Sequence, residues 1–257
     1  MPNGPQAMIF DLDGVITFTA RVHAAAWKEL FDQFLRERAA RLHEPFREFT
    51  VEGDYLNYVD GKPRYDGVAS FLASRGISIP YGSPSDPPDA QTVCGLGNRK
   101  DNLFTAKIHE IGVDVDHDAV RFVRELRDRG IRVGLASSSR NAVPIVKQAG
   151  IYELFDEIVD GVVSERLHLR GKPEPDIFLQ CLKQLESDPE PRKSGIAEDA
   201  IAGVMAGHRG GFALVLGVDR KHSGTLAHNG ANWAIGDFKT ITAEEVIRFF
   251  ADRARAA

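Results

Sequence analysis

Ala7-Met8-Ile9-Phe10-Asp11-Leu12-Asp13-Gly14 is a short apolar run that stops abruptly at a turn carrying two carboxylates. Such a run, bounded by turn residues, predicts a strand buried on both faces, as in a parallel sheet. The next comparable run is 131–136, and after it strands and helices alternate at short intervals. Helices are predicted over 141–149, 175–185, 200–209 and 243–253, with Pro144 acceptable in a first turn. Strands are predicted over 157–159, 195–197, 212–216 and 233–235. This alternation predicts an α/β fold, a doubly wound parallel sheet with helices on both faces.

More than a hundred residues separate the first strand from the second, too many for a structureless loop in a compact domain. They are helical in pattern over 22–38, 66–75, 98–111 and 118–129. The expected organisation is therefore a core of residues 1–19 and 111–257, with a helical domain, 20–110, inserted after the first strand. Prolines at 84, 87 and 88 predict a loop over 81–89 inside the insertion.

Composition narrows the class. The chain has 257 residues, 43% hydrophobic and 27% charged, with a net charge of −5. These are the proportions of a globular protein with a sizeable core, and the slight acidity argues against a nucleic-acid binder. Cys94 and Cys181 are too few for a disulfide framework and lack metal-type spacing. His208, His222 and His228 are too scattered for a zinc site. The N-terminus lacks the basic-then-apolar pattern of a signal peptide, and no apolar stretch approaches membrane-span length. The expected location is cytoplasmic.

Three polar clusters follow predicted strands: Asp11 and Asp13, then Ser137-Ser138-Ser139, then Glu198-Asp199. Open parallel sheets bind ligands outside the carboxyl ends of their strands, so the clusters are expected at one edge. Taken singly, each has a plainer reading, as a turn, a helix N-cap or an acidic helix start. An EF-hand loop starting at Asp11 fails, because its sixth and twelfth positions hold Ile16 and Val22 rather than Gly and Glu. Carboxylates crowded about 4 Å apart repel by about 4 kcal/mol per pair at an effective dielectric of about 20. The cluster must therefore take up protons or a cation, and an all-oxygen donor set favours a hard ion such as Mg2+. Lys172, in Gly171-Lys172-Pro173, adds fixed positive charge. Nucleophile, cation, lysine and hydroxyl donors together make a phosphoryl-transfer set.

In order along the chain, Asp11-Leu12-Asp13-Gly14-Val15, Ser137, Lys172 and Glu198-Asp199 resemble the four motifs of the haloacid dehalogenase superfamily. The resemblance implies a Rossmann-like core with a helical cap and a magnesium-assisted aspartyl-phosphate mechanism. It makes Asp11 the nucleophile and Asp13 the general acid and base. Ser137 and Lys172 bind the transferring phosphoryl group, and Glu198 and Asp199 hold the metal with Asp11 and the Asp13 carbonyl.

Further residues resemble the β-phosphoglucomutase family within it: Thr17, Thr19, His23 and Trp27; Gly61-Lys62-Pro63-Arg64; Arg99-Lys100; and Ser137-Ser138-Ser139-Arg140-Asn141. The run Lys172-Pro173-Glu174-Pro175-Asp176 belongs with them. By that resemblance Arg64, aided by Ser139 and Asn141, clamps the non-transferring phosphate. Lys100 and Trp27 line the sugar pocket, and Thr19 and His23 tie cap closure to the state of Asp13. Gly61, Ser138 and Arg140 complete the expected substrate contacts. An arginine fork suits the second phosphate that a bisphosphate intermediate carries.

The implied reaction interconverts β-glucose 1-phosphate and glucose 6-phosphate. The expected partner is a small phosphorylated sugar, with no nucleic acid and no membrane, and the chain is expected to act as a monomer. A phosphatase of small sugar phosphates and a non-catalytic sugar-phosphate binder are the alternatives. The sequence departs from the mutase pattern at Phe18, where an aspartate is usual, in the 81–90 loop, and in a long lead-in over 160–170.

Overall fold

The computed structural model describes residues 4–256. The chain divides into two compact units, Met1–Phe18 with Asp114–Ala257, and Thr19–Val113.

The first unit carries six parallel strands in the order β3-β2-β1-β4-β5-β6. They are β1 (Ala7–Phe10), β2 (Arg132–Ala136), β3 (Glu157–Val159), β4 (Ser194–Glu198), β5 (Leu214–Val218) and β6 (Trp233–Ile235). Its helices are α4 (His117–Asp128), α5 (Ala142–Gln148), α6 (Gly161–Arg166), α7 (Asp176–Leu185), α8 (Ile201–Arg209), α9 (Thr225–His228) and α10 (Ala243–Ala256). Helices α1 to α3 belong to the other unit. This is the doubly wound parallel sheet that the alternating pattern predicts.

β1 lies at the centre, with Ile9 in register with Gly134 on one side and Ile196 on the other. Its four residues are fully buried, as an unbroken apolar run requires. Ala7 and Ile9 pack into a cluster with Ile177, Phe178, Cys181 and Leu182 of α7. Phe10, on the other face, meets Phe122 of α4 edge-on, with ring centroids 6.0 Å apart. Helix α4 presents Ala119, Val120, Phe122, Val123 and Leu126 inward, an apolar stripe of helical period. Asp116 caps it, accepting from the backbone N–H groups of Asp118 and Ala119.

The second unit holds α1 (Ala20–Leu42), a π-helical segment (Val51–Val59), α2 (Arg64–Ser74) and α3 (Val93–Ile111). Its core is aromatic. Phe31 lies 4.1 Å from Phe71 and 5.0 Å from Phe49 between ring centroids, with Trp27 stacked 5.3 Å away.

Several elements differ from the sequence reading. The fifth strand runs two residues later than 212–216, because Phe212 turns inward against Phe178, ring centroids 6.2 Å apart. Helix α3 starts five residues before the expected Asn98, capped by Thr92 Oγ1 accepting from Gly95 N. Gly95 and Gly97 hide this start, yet a Cβ at Gly95 would lie 2.4 Å from the Ala90 carbonyl oxygen. The long lead-in at 160–170 contains α6, capped by Asp160. The proline-rich loop is pinned to α3: Asn98 Nδ2 donates to the Pro84 and Asp86 carbonyls, and Arg99 Nε to that of Pro88.

Candidate active site

Adjacent strands β2, β1 and β4 carry the three polar clusters at their carboxyl ends. Ser137 follows β2, Asp11 follows β1, and Glu198 is the last residue of β4. Glu198 thus belongs to the strand rather than to the turn after it.

Lys172 joins them. Its ammonium donates to Asp11 Oδ1 at 2.6 Å and also pairs with Glu198 Oε1. All three are almost sealed from solvent, with exposures of 6% for Asp11, 3% for Lys172 and 0% for Glu198. The other Glu198 oxygen accepts from the Ala200 backbone N–H at 2.8 Å, and the second Asp11 oxygen accepts from the Asp13 N–H at 3.0 Å. Every carboxylate oxygen of this buried trio is therefore bonded, as burial demands.

Two glycines make the packing possible. Gly14 has φ +86°, and a Cβ there would fall 1.8 Å from Asp199 Oδ2. A Cβ at Gly203 would fall 1.8 Å from Glu198 Oε1. A side chain at either position would have to displace the Asp199 or the Glu198 carboxylate.

The electrostatics call for a cation. Burial pushes Asp11 up to about 8, Glu198 and Asp13 push the same way, and Lys172 opposes them. Burial also works against the Lys172 charge, but Asp11 and Glu198 outweigh it and raise its pKa. One lysine thus serves two buried carboxylates, with Asp199 beside them. Oxygens of Asp11, Glu198 and Asp199 lie within 4.8 Å of one another, an all-carboxylate donor set suited to a hard divalent ion. These residues fit magnesium.

The serine loop is ordered by its own hydroxyls. Ser137 Oγ accepts from Ser139 N at 3.1 Å, and Ser139 Oγ from Asn141 N at 3.2 Å. Ser137 is buried at the end of β2, while Ser138, Ser139 and Asn141 are half-buried. Arg140 is turned to α6, where it pairs with Glu165.

The remaining candidate residues lie in the helical unit. His23 Nδ1 is 2.6 Å from Lys100 Nζ, and its ring stacks on Phe104 at 3.9 Å between centroids. The buried Lys100 ammonium also sits 5.2 Å above the Trp27 ring. Arg64 Nη1 pairs with Asp101 Oδ2 at 2.7 Å. Thr19 is buried and its carbonyl accepts from His23 N, while Gly61 takes a left-handed φ of +71°.

Sequence reasoning missed Asp101, Gly203 and Arg220. Asp101 carries no sequence signal beyond being an acid beside Lys100. The available signal for Arg220 was its place just beyond the carboxyl end of β5, the edge of the sheet where the other site residues also fall.

The family model for haloacid dehalogenase-like hydrolases matches residues 5–211, and the chain belongs to that family. It is 41% identical over 241 residues to a β-phosphoglucomutase of Mycobacterium bovis, covering 92% of this chain and 91% of that one. It is 33% identical over 213 residues to the β-phosphoglucomutase of Bacillus subtilis, covering 82% and 83%. The fold also matches the crystal structure of a β-phosphoglucomutase from Clostridium difficile with a TM-score of 0.75, at 23% identity over 98% of this chain and 99% of that one. Among the described residues, no helix is long and apolar enough to cross a membrane.

Proposed function

We propose that this enzyme is a magnesium-dependent β-phosphoglucomutase, interconverting β-glucose 1-phosphate and glucose 6-phosphate through an aspartyl-phosphate and a bisphosphorylated sugar. The observation that carries this reading is the buried Lys172 bridging Asp11 and Glu198, with Asp199 in reach of both carboxylates. The 41% identity to a β-phosphoglucomutase over nearly the full length of both chains supports the choice of substrate.

An Asp11 oxygen attacks phosphorus as the bond to the sugar oxygen breaks. Asp13, protonated at that moment, donates to the departing sugar oxygen. In the return step Asp13 takes the proton of the accepting hydroxyl while that oxygen displaces Asp11 from phosphorus. Lys172 and the Ser137 hydroxyl hold the transferring phosphoryl oxygens, and positioned charge supplies most of the acceleration. Asp11, Glu198, Asp199 and the Asp13 carbonyl would hold the magnesium ion, which when bound would supply positive charge offsetting this carboxylate cluster and the phosphoryl group. In the helical unit, Arg64 is the proposed ligand of the second phosphate, with a guanidinium fork that matches it. His23, Trp27 and Lys100 form the proposed sugar-binding group there, with Thr19 and Gly61 shaping its backbone. Ser138, Ser139, Arg140 and Asn141 are proposed to order the loop on which Ser137 stands.

Product analysis tests the assignment. With β-glucose 1-phosphate, magnesium and a trace of glucose 1,6-bisphosphate, glucose 6-phosphate is expected, and Asp11→Asn should abolish it. Stoichiometric inorganic phosphate without glucose 6-phosphate would make the enzyme a phosphatase instead. No turnover of any hexose phosphate would leave a binder.

A further inference from the structure

Arg220 stands in the turn after β5, outside the four superfamily-like motifs, and its one guanidinium makes three contacts there. Its Nε donates to the Gly14 carbonyl at 3.2 Å, and its Nη2 to Asp116 Oδ2 at 2.6 Å. Its Cζ lies 4.8 Å over the ring of Phe18. The turn that presents it is itself fixed. Asp219 N bonds to the Ile235 carbonyl, and the Asp219 carboxylate accepts from Ser223 N and Gly224 N. His222 takes a left-handed φ of +51° and packs on Gly236, where a Cβ would lie 2.3 Å from its ring.

The groups Arg220 touches are those that fix the catalytic turn. Gly14 lies directly after Asp13, its N–H bonds to the Thr17 carbonyl at 2.7 Å, and Asp199 occupies the space a Cβ there would fill. Phe18 and Asp116 mark where the chain leaves the α/β unit and returns to it. Those two segments pair through Phe18 N to the Asp114 carbonyl and Asp116 N to the Ile16 carbonyl, each at 2.9 Å. A guanidinium can serve an ion pair, a carbonyl and a ring face at once because its charge is planar and its donors diverge.

We propose that Arg220 is a positioning residue, which holds the Asp13–Gly14 turn against Asp199 and so sets the cation affinity of the Asp11, Glu198 and Asp199 cluster. The consequence for the cation rests on the function proposed above. The clamp itself rests only on the three contacts. Outer partners that orient metal ligands commonly govern affinity by about 10–100-fold, and a loss of that order is the expected effect.

The test is magnesium binding alone, by titration calorimetry on the full chain, for wild type, Arg220→Ala and Arg220→Lys. Arg220→Ala should weaken magnesium by about 10-fold or more, and Arg220→Lys should recover part of it through the Asp116 ion pair. A lower melting temperature with wild-type magnesium affinity would reduce Arg220 to a structural ion pair and overturn the proposal. If wild type binds no magnesium, the functional reading fails rather than the clamp. Hydrogen exchange on the metal-free protein then decides. Arg220→Ala should speed exchange of the Gly14, Phe18 and Asp116 amides by about 10-fold or more, while β1 amides stay slow. Unchanged exchange at those three amides would overturn the clamp. If Arg220→Ala does not fold, Arg220→Lys carries both measurements, because it keeps the charge and loses the fork.

Discussion

Lys172 Nζ donates to Asp11 Oδ1 at 2.6 Å across 161 positions of sequence, and the same ammonium pairs with Glu198. Neither carboxylate is exposed, so the lysine is their chief neutralising partner within the protein. Removing one member of a buried charge cluster strands the others, typically at about 3–5 kcal/mol. Lys172→Met should therefore lose about that much stability in urea unfolding. Turnover should fall by about 10³ or more, since the transferring group loses its fixed cation. A stable variant with near-normal turnover would show that Asp11 does not depend on Lys172.

Gly203 offers a test that sets local propensity against packing. Gly203 lies in the first turn of α8, and alanine is favoured over glycine in a helix by up to about 1 kcal/mol in propensity. The position has no room, because the added methyl would lie 1.8 Å from Glu198 Oε1. Gly203→Ala should lower the melting temperature and reduce turnover together, by displacing Glu198 from Lys172. A stabilised and fully active variant would mean that Glu198 can move without consequence.

Arg64 and Asp101 form a 2.7 Å ion pair in the helical unit. If Arg64 binds the second phosphate, Asp101 competes with that phosphate for the guanidinium. Arg64→Ala should hurt mutase turnover far more than hydrolysis of a generic aryl phosphate, whereas Asp101→Asn should lower KM for the sugar phosphate. Steady-state kinetics on both substrates separates the effects. Equal losses on the two substrates for Arg64→Ala would remove the second phosphate site.

A pH effect is expected in the π-helical segment. Partial burial opposes ionisation of Asp54, but Thr50 N, Arg75 and the Thr50 hydroxyl overcome it and hold the carboxyl below its usual 3.8. A carboxyl whose folded pKa is depressed contributes stability above its unfolded pKa and loses it as pH falls through the folded value. Asp54→Asn should cost about 1–3 kcal/mol at neutral pH, and the gap to wild type should close as pH drops below 3.8. Urea unfolding at several pH values reads this directly. A gap that stays constant into acid would show that the carboxylate charge is not what holds Thr50 and Arg75.

The strands were legible because unbroken apolar runs such as Ala7–Phe10 have one stable destination, the middle of a parallel sheet. The site residues were legible as positions, since Asp11, Ser137 and Glu198 each terminate or follow a strand. What the pattern hid had physical causes. The helix from Val93 opens on glycines required by backbone approach, which propensity reads as a breaker. The π-helical segment depends on i→i−5 bonds, Tyr55 N to the Thr50 carbonyl and Asp60 N to that of Tyr55, a geometry with no period of its own in sequence. Phe212 looked like a strand residue because it is apolar, although it serves the packing of Phe178. Arg220 carried only its place after a strand as a signal, because its partners Gly14, Phe18 and Asp116 converge only in the folded chain.

The most direct test of the central claim is to trap the phosphoryl group. The enzyme would be mixed with magnesium and radiolabelled β-glucose 1,6-bisphosphate, quenched in acid within its first turnover, and mapped by peptide analysis. Label on the peptide containing Asp11, lost in Asp11→Asn, is the expected result. Label on any other residue, or sugar product formed with no labelled peptide at the earliest times, would contradict it.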